Sequence, residues 1–184
     1  MADSMDTSTG TGTGRSRMMT GMFRDRESAE RAYGSLTSRG YSKDDVNLIM
    51  SDETRKKHFS DEGKDSDLGD KAWEDAGKGA AIGSGVGATL AAIAAIGTTV
   101  ALPGLGLLIA GPIAAGLAGA GAGGLTGGLI GALVGSGIPE DRAKEYESGV
   151  KEGGIVMGVN PRSDEDAEYF ENDWRNNRGE HIYR

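Results

Sequence analysis

The chain has 184 residues and a formal net charge of −8 at pH 7, with 28 acidic against 20 basic side chains. This length predicts one domain or two small ones. The acidic balance argues against nucleic acid as a partner, because phosphates bind a basic surface, and it means that contact with an anionic membrane must depend on apolar burial. The absence of cysteine excludes disulfides and thiolate metal sites.

Residues 1–17 are rich in Ser, Thr and Gly and contain two aspartates but no apolar core. Such a composition predicts a disordered tail and not a secretory signal. We therefore expect the protein in the cytoplasm or at the cytoplasmic face of the inner membrane.

Residues 18–50 predict a strand, a helix and a second strand. Residues 18–23 form a short apolar run that is typical of a strand. Asp25 can cap a helix over residues 26–39, because its carboxylate can accept the free amide hydrogens of the first turn. Gly40 suits the left-handed residue that ends such a helix.

The second strand is predicted over residues 46–50, where apolar side chains alternate. One face carries Val46, Leu48 and Met50, and the other carries Asn47 and Ile49. Residues 51–77 are charged and interrupted by glycine, which predicts a linker with a short helix near residues 66–76.

Residues 138–184 predict a helix, a strand, a helix and a last strand. The first helix, over residues 139–152, begins at a proline that suits its first position and is followed by two acidic residues at its positive end. Residues 155–159 form an apolar strand, and Ser163 marks the start of the next helix. The last strand is predicted over residues 181–183.

Together, residues 18–50 and 138–184 provide four strands and two helices that can pack on them, with one extra helix. This order predicts an α+β fold, a small ferredoxin-like sandwich. Its two halves can meet only if the inserted segment, residues 78–137, begins and ends at the same place. A helical hairpin satisfies this condition, whereas a single membrane span does not.

The inserted segment has no charged side chain between residues 79 and 139 and consists largely of Gly, Ala, Leu and Ile. Prolines next to glycines divide it, which predicts helices over residues 79–102 and 112–136 joined by an apolar loop. At ~1.5 Å per residue, each helix would be roughly 36 Å long, enough to cross a hydrocarbon core of ~30 Å.

Small residues recur at every fourth position of both predicted helices, a spacing that lets two helices approach closely. Gly costs roughly 1 kcal/mol relative to Ala in a helix exposed to water, so these helices need another backbone nearby or an environment without water. The same composition argues against β structure, because strands of Gly and Ala have little to pack. The predicted assembly interface consists of Gly79, Gly83, Gly87, Ala91, Ala95, Gly116, Gly119, Ala120, Gly123, Gly124, Gly127, Gly128, Gly131 and Gly135.

The sequence is compatible with either protein or lipid around this Gly/Ala-zipper hairpin. The large apolar side chains of the first helix contribute only about −2 to −4 kcal/mol on the membrane-insertion scale, which is marginal for an independent span. Hairpins of several copies can bundle into a water-soluble homo-oligomer, or they can insert in a bilayer and associate there. A monomer that folds the hairpin back on its own sandwich is expected least, because it would expose a large apolar surface.

Three separated motifs in the chain occur in a recognisable order. They are TGMFRDRESAE at residues 20–30, PGLG and AGP at residues 103–106 and 110–112, and GIPEDRAKEYE followed by VKEGGIV at residues 137–147 and 150–156. They resemble the motifs of the bacterial general stress protein 17M-type domain family, over about residues 18–184. The resemblance implies a bacterial, stress-associated protein with a Gly-rich hydrophobic insertion, and it carries no catalytic residues.

No catalytic, cofactor or metal site is predicted. Residues 83–87 have the glycine spacing of a dinucleotide loop, but no strand precedes them. His58 and His181 lack a second ligand at metal spacing. The acidic residues 164–166 are better explained as charges at a helix start. We therefore expect a non-enzymatic protein without a cofactor, a nucleic-acid partner or a small-molecule substrate.

The preferred hypothesis is a stress-associated protein that self-assembles into a homo-oligomer through the Gly/Ala-zipper hairpins, with acidic domains outside. The first alternative is a membrane-embedded stress protein whose hairpin inserts in the bilayer, which would then be its second partner. The second alternative is a small-ligand sensor, which depends on fold analogy alone.

Overall fold

A computed structural model of the chain describes residues 18–59, 99–102, 106–119 and 128–184. These residues form a mixed α/β structure in which one antiparallel sheet carries helices on both faces. The predicted tail over residues 1–17, the helix near residues 66–76 and most of the first zipper helix (residues 79–98) lie outside the described residues.

The described elements follow in chain order. The strands are β1 (Met19–Phe23), β2 (Val46–Ser51), β3 (Thr99–Leu102), β4 (Leu107–Ala110), β5 (Ile155–Val159) and β6 (Glu180–Tyr183). The helices are α1 (Arg26–Ser38), α2 (Asp52–Phe59), α3 (Pro112–Gly119), α4 (Gly128–Gly135), α5 (Glu140–Lys151) and α6 (Asp164–Asn176), and a 3-10 turn spans Lys43–Asp45.

The sheet has six strands in the order β3-β4-β2-β5-β1-β6, and every neighbouring pair is antiparallel. β5 lies at the centre, where Val159 is paired with Met19 of β1 on one side and with Val46 of β2 on the other. All residues of β1 and β5 are buried. Continuous apolar runs suit such strands, because helices cover both of their faces.

Local signals placed the elements of residues 18–50 and 138–184 correctly to within one or two residues. The Asp25 carboxylate accepts a hydrogen bond from the Ser28 amide at 2.7 Å and starts α1. The Ser163 hydroxyl accepts one from the Asp166 amide at 3.1 Å and starts α6. Gly40 has φ +76°, the left-handed conformation expected after α1.

The two faces of the sheet have separate cores. The aromatic face, under α1 and α6, contains Phe23, Tyr33, Tyr41, Phe170 and Trp174 together with Val46, Leu48 and Met50 of β2. The aliphatic face, under α3, α4 and α5, contains Met22, Ile49, Ile109, Ile113, Leu129, Leu133, Tyr146 and Val150. The predicted alternation along β2 is therefore confirmed.

The structure differs from the predicted helical hairpin at its tip. Residues 99–102 and 107–110 form a β-hairpin, β3 and β4, where the end of the first helix and an apolar loop were expected. Their sequences, TVAL and LLIA, contain the β-branched and large aliphatic residues that suit strands. The prediction against β structure, which considered the Gly and Ala content, was wrong for these eight residues: β4 pairs with β2, and β3 pairs with β4.

The described part of the inserted segment folds back on the chain's own sheet, the arrangement that was expected least. α3 packs against β2, β3 and β4, and α4 packs against α5. Ile113, Leu129 and Leu133 join the core of the aliphatic face. The second face of the sheet provides an apolar surface on which the described helices of this segment are buried.

A helix also occupies residues 52–59, where a linker was predicted. The Ser51 hydroxyl accepts a hydrogen bond from the Thr54 amide at 3.0 Å at the start of α2. Phe59 is buried at its end, and the Arg26 guanidinium lies 5.0 Å from the centre of its ring. A single buried aromatic residue thus holds α2 on the aromatic face, although the sequence around it is charged.

Candidate assembly surface

The predicted interface residues fall partly within the described helices. Gly116 and Gly119 belong to α3, and Gly128, Gly131 and Gly135 belong to α4. Outside the described residues lie Gly79, Gly83, Gly87, Ala91, Ala95, Ala120, Gly123, Gly124 and Gly127. The candidate surface is therefore built here from α4 and from the elements that hold it.

α4 turns its large side chains inward and its small residues outward. Leu129 and Leu133 are both 0% exposed and fill the core of the aliphatic face. Gly131, Val134 and Gly135 are spaced by three and four residues on the opposite side, which we name the α4 outer face. These glycines are exposed, and 43% of Val134 is exposed.

The α4 outer face has room for a neighbour. A Cβ built on Gly131 or Gly135 would meet no atom of the described residues within 4 Å. The predicted glycine ridge therefore makes no close helix contact within the described part of the chain. Leu129 and Leu133 hold α4 on the core, and the uncharged α4 outer face is exposed.

A buried polar side chain fixes α3 to the sheet. Asn47, only 1% exposed in β2, accepts a hydrogen bond from the Ile113 amide through Oδ1 at 2.7 Å. This bond satisfies one of the free amides at the start of α3. Gly111 precedes the helix with φ +97°, and a Cβ there would lie 2.2 Å from the Val46 carbonyl oxygen. The start of α3 is thus fixed to β2.

The closest glycine contact among the described helices lies in α5, where sequence reasoning placed no interface residue. A Cβ on Gly149 would lie 2.0 Å from Sδ of Met22, because α5 sits directly on β1 at this point. The sequence holds a signal for this contact, since Gly149 shares the buried side of α5 with Tyr146 and Val150. Gly149 lies outside the uncharged segment, where the predicted interface residues are.

A polar network joins the two halves of the chain at the edge of the aromatic face. Asp166 accepts hydrogen bonds from Arg39 Nη1 and from the Tyr41 hydroxyl, each at 2.7 Å. The Tyr41 hydroxyl bond, followed by that of Arg39, holds the pKa of Asp166 below its usual range. The Arg162 amide donates to the Tyr41 oxygen at 2.6 Å. The chain's own groups satisfy these atoms, so the network ties α1 to α6.

Tyr146 plays the corresponding part on the aliphatic face. Its hydroxyl donates to the carbonyl oxygen of His181 at 2.6 Å and accepts a hydrogen bond from the Thr20 hydroxyl at 2.8 Å. Burial raises the pKa of Tyr146 to about 12, so its hydroxyl stays protonated at neutral pH. This arrangement connects α5 with β1 and β6 and is structural in character.

α3 and α4 have eight residues each, and none of the described helices combines the length and the apolar character that crossing a bilayer requires. Nor do the described His, Asp and Glu side chains form a group of three that could hold a metal ion. His181 lies 3.0 Å from the Glu145 carboxylate at the surface, and His58 belongs to α2.

The α4 outer face is therefore the described surface that the assembly hypothesis can use. The geometry offers an uncharged helical strip whose leucines are buried in the core beneath it and whose two glycines meet no described atom within 4 Å. The chain matches no family model, no curated protein and no solved structure, so its function is inferred from this geometry and from the resemblance of its motifs.

Proposed function

We propose that this chain is a non-enzymatic, stress-associated protein that assembles with copies of itself through its uncharged inserted segment. The α4 outer face is the observation that carries the proposal. Gly131 and Gly135 present bare backbone, and Val134 presents an exposed apolar side chain between them. Rows of small residues allow a second helix to approach closely. The association with stress depends on the motif resemblance.

A glycine in the interior of a helix that faces water lowers the stability of the helix by roughly 1 kcal/mol relative to Ala. Gly131 bears this cost in the interior of α4 without any close contact within the described residues, whereas Gly135 is the last residue of the helix. If a second copy covers this face, the lack of side chains at the glycines allows the two helix backbones to pack closely. This gain supports the interpretation that α4 contributes to an interface.

Charge favours the same surface for self-association. The chain carries a net charge of −8, and two copies repel one another wherever their acidic surfaces approach. The outer side of α5 is charged, with ion pairs such as Glu140–Lys144 at 2.7 Å. The inserted segment has no charge at all between residues 79 and 139. Two copies that meet through this segment therefore avoid the repulsion between their acidic surfaces.

We further propose that the sheet is built on a ferredoxin-like core. The four strands that surround the insertion follow the order β2-β5-β1-β6, and α1 and α6 share one face of them. A split βαβ arrangement has this order, which supports the assignment. The β3–β4 hairpin extends the sheet beyond β2, and α3, α4 and α5 cover the face that a two-layer sandwich leaves open.

The test is sedimentation velocity of the full chain without detergent. We expect particles larger than the 19.0 kDa chain. The double variant Gly131→Leu/Gly135→Leu should weaken assembly by about tenfold or more, because leucines prevent close helix approach. Its own fold should persist, since a Cβ at either position would meet no atom of the described residues within 4 Å. Thr37→Leu, at an exposed position of α1, is the matched control and should assemble normally.

Two results would overturn the proposal. A chain that sediments as a monomer without detergent, whether or not it binds vesicles, does not self-assemble in water. Recovery only with membranes would favour the bilayer alternative instead. An unchanged oligomer in the double leucine variant would remove α4 from the interface and with it the observation on which the proposal depends.

A further inference from the structure

We draw no further inference here: the strongest candidate, the outer edge of β3 (Thr99–Leu102) at one end of the sheet, directly follows a stretch of the chain outside the described residues, and nothing within those residues shows what covers it.

Discussion

α1 and α6 cover the aromatic face of the sheet, whereas α3, α4 and α5 cover the aliphatic face. The helices on the two faces differ in the charge of their outer sides. The outer sides of α1 and α6 are charged, with ion pairs such as Arg31–Glu27 at 2.6 Å. The α4 outer face carries only Gly131, Val134 and Gly135. A charged outer side completes a water-soluble surface. An uncharged outer side leaves a surface that a further partner can cover.

The two cores also differ in how they specify their packing. On the aromatic face, rings meet edge to face, as in Phe23–Trp174 at 5.7 Å and Tyr41–Phe170 at 5.1 Å. Such contacts fix orientation as well as distance. The aliphatic face relies on flexible Met, Leu and Ile side chains and gains its orientation from polar anchors, chiefly Asn47 and Tyr146. On the aliphatic face, the hydrogen bonds of Asn47 and Tyr146 thus fix the orientation that ring contacts fix on the aromatic face.

Removing the central ring of the aromatic face should have the largest effect. Trp174 is 0% exposed, and a Cβ on Gly21 would lie 2.8 Å from its ring, so the ring packs directly on the backbone of β1. Trp174→Ala should lower the free energy of unfolding by about 3–5 kcal/mol, measured by urea denaturation. Val134→Ala, at a position exposed on the other side of the molecule, should change it by less than about 0.5 kcal/mol. Similar losses in both variants would contradict the contrast between the faces.

Breaking the anchor of the aliphatic face should have a smaller effect. Asn47→Ala leaves the buried amide of Ile113 without its acceptor, which should cost about 1–3 kcal/mol in the free energy of unfolding. Amide exchange over residues 112–119 should rise more than exchange in α1 or α6. The same substitution at Asn176, exposed at the end of α6, serves as the control. Unchanged exchange in α3 would show that Asn47 does not hold this helix.

Alkaline pH should affect both faces by similar, smaller amounts. Burial raises the pKa of Tyr33 on the aromatic face and of Tyr146 on the aliphatic face to about 12. Because these values lie above the ordinary value of 10, the stability that each tyrosine contributes is complete below pH 10. It is lost as the pH rises from 10 towards 12, by about 1.4 kcal/mol per tyrosine at pH 11.

The corresponding variants separate the two tyrosines. Tyr33→Phe and Tyr146→Phe should each reduce the loss of unfolding free energy between pH 9 and 11 by about 1 kcal/mol. Tyr146→Phe should in addition be less stable at every pH, because the Thr20 and His181 oxygens lose their partner. If only Tyr33→Phe reduced the loss, Tyr146 would be open to water and the aliphatic face less closed than the aromatic one.

The sequence indicated part of the candidate assembly surface but not which side of α4 faces outward. The spacing of Gly131 and Gly135 was visible because residues four apart share one side of a helix. Which side faces outward depends on where Leu129 and Leu133 are buried, and this is decided by α5 and the sheet. Gly149 and Asn47 were not recognised, because their importance comes from Met22 and Ile113, which are distant in the sequence.

By itself, the sequence determined the elements of residues 18–50 and 138–184, because caps such as Asp25 and Ser163 and the alternation along β2 act over a few residues. Only the tertiary structure decided the form of the described inserted residues. Residues 107–110 became a strand because the edge of β2 offers them hydrogen-bond partners, and residues 99–102 pair in turn with that strand. α3 and α4 returned to the sheet because its second face can bury their apolar side chains. An uncharged segment is compatible with several partners, and its conformation follows from the surface that it meets.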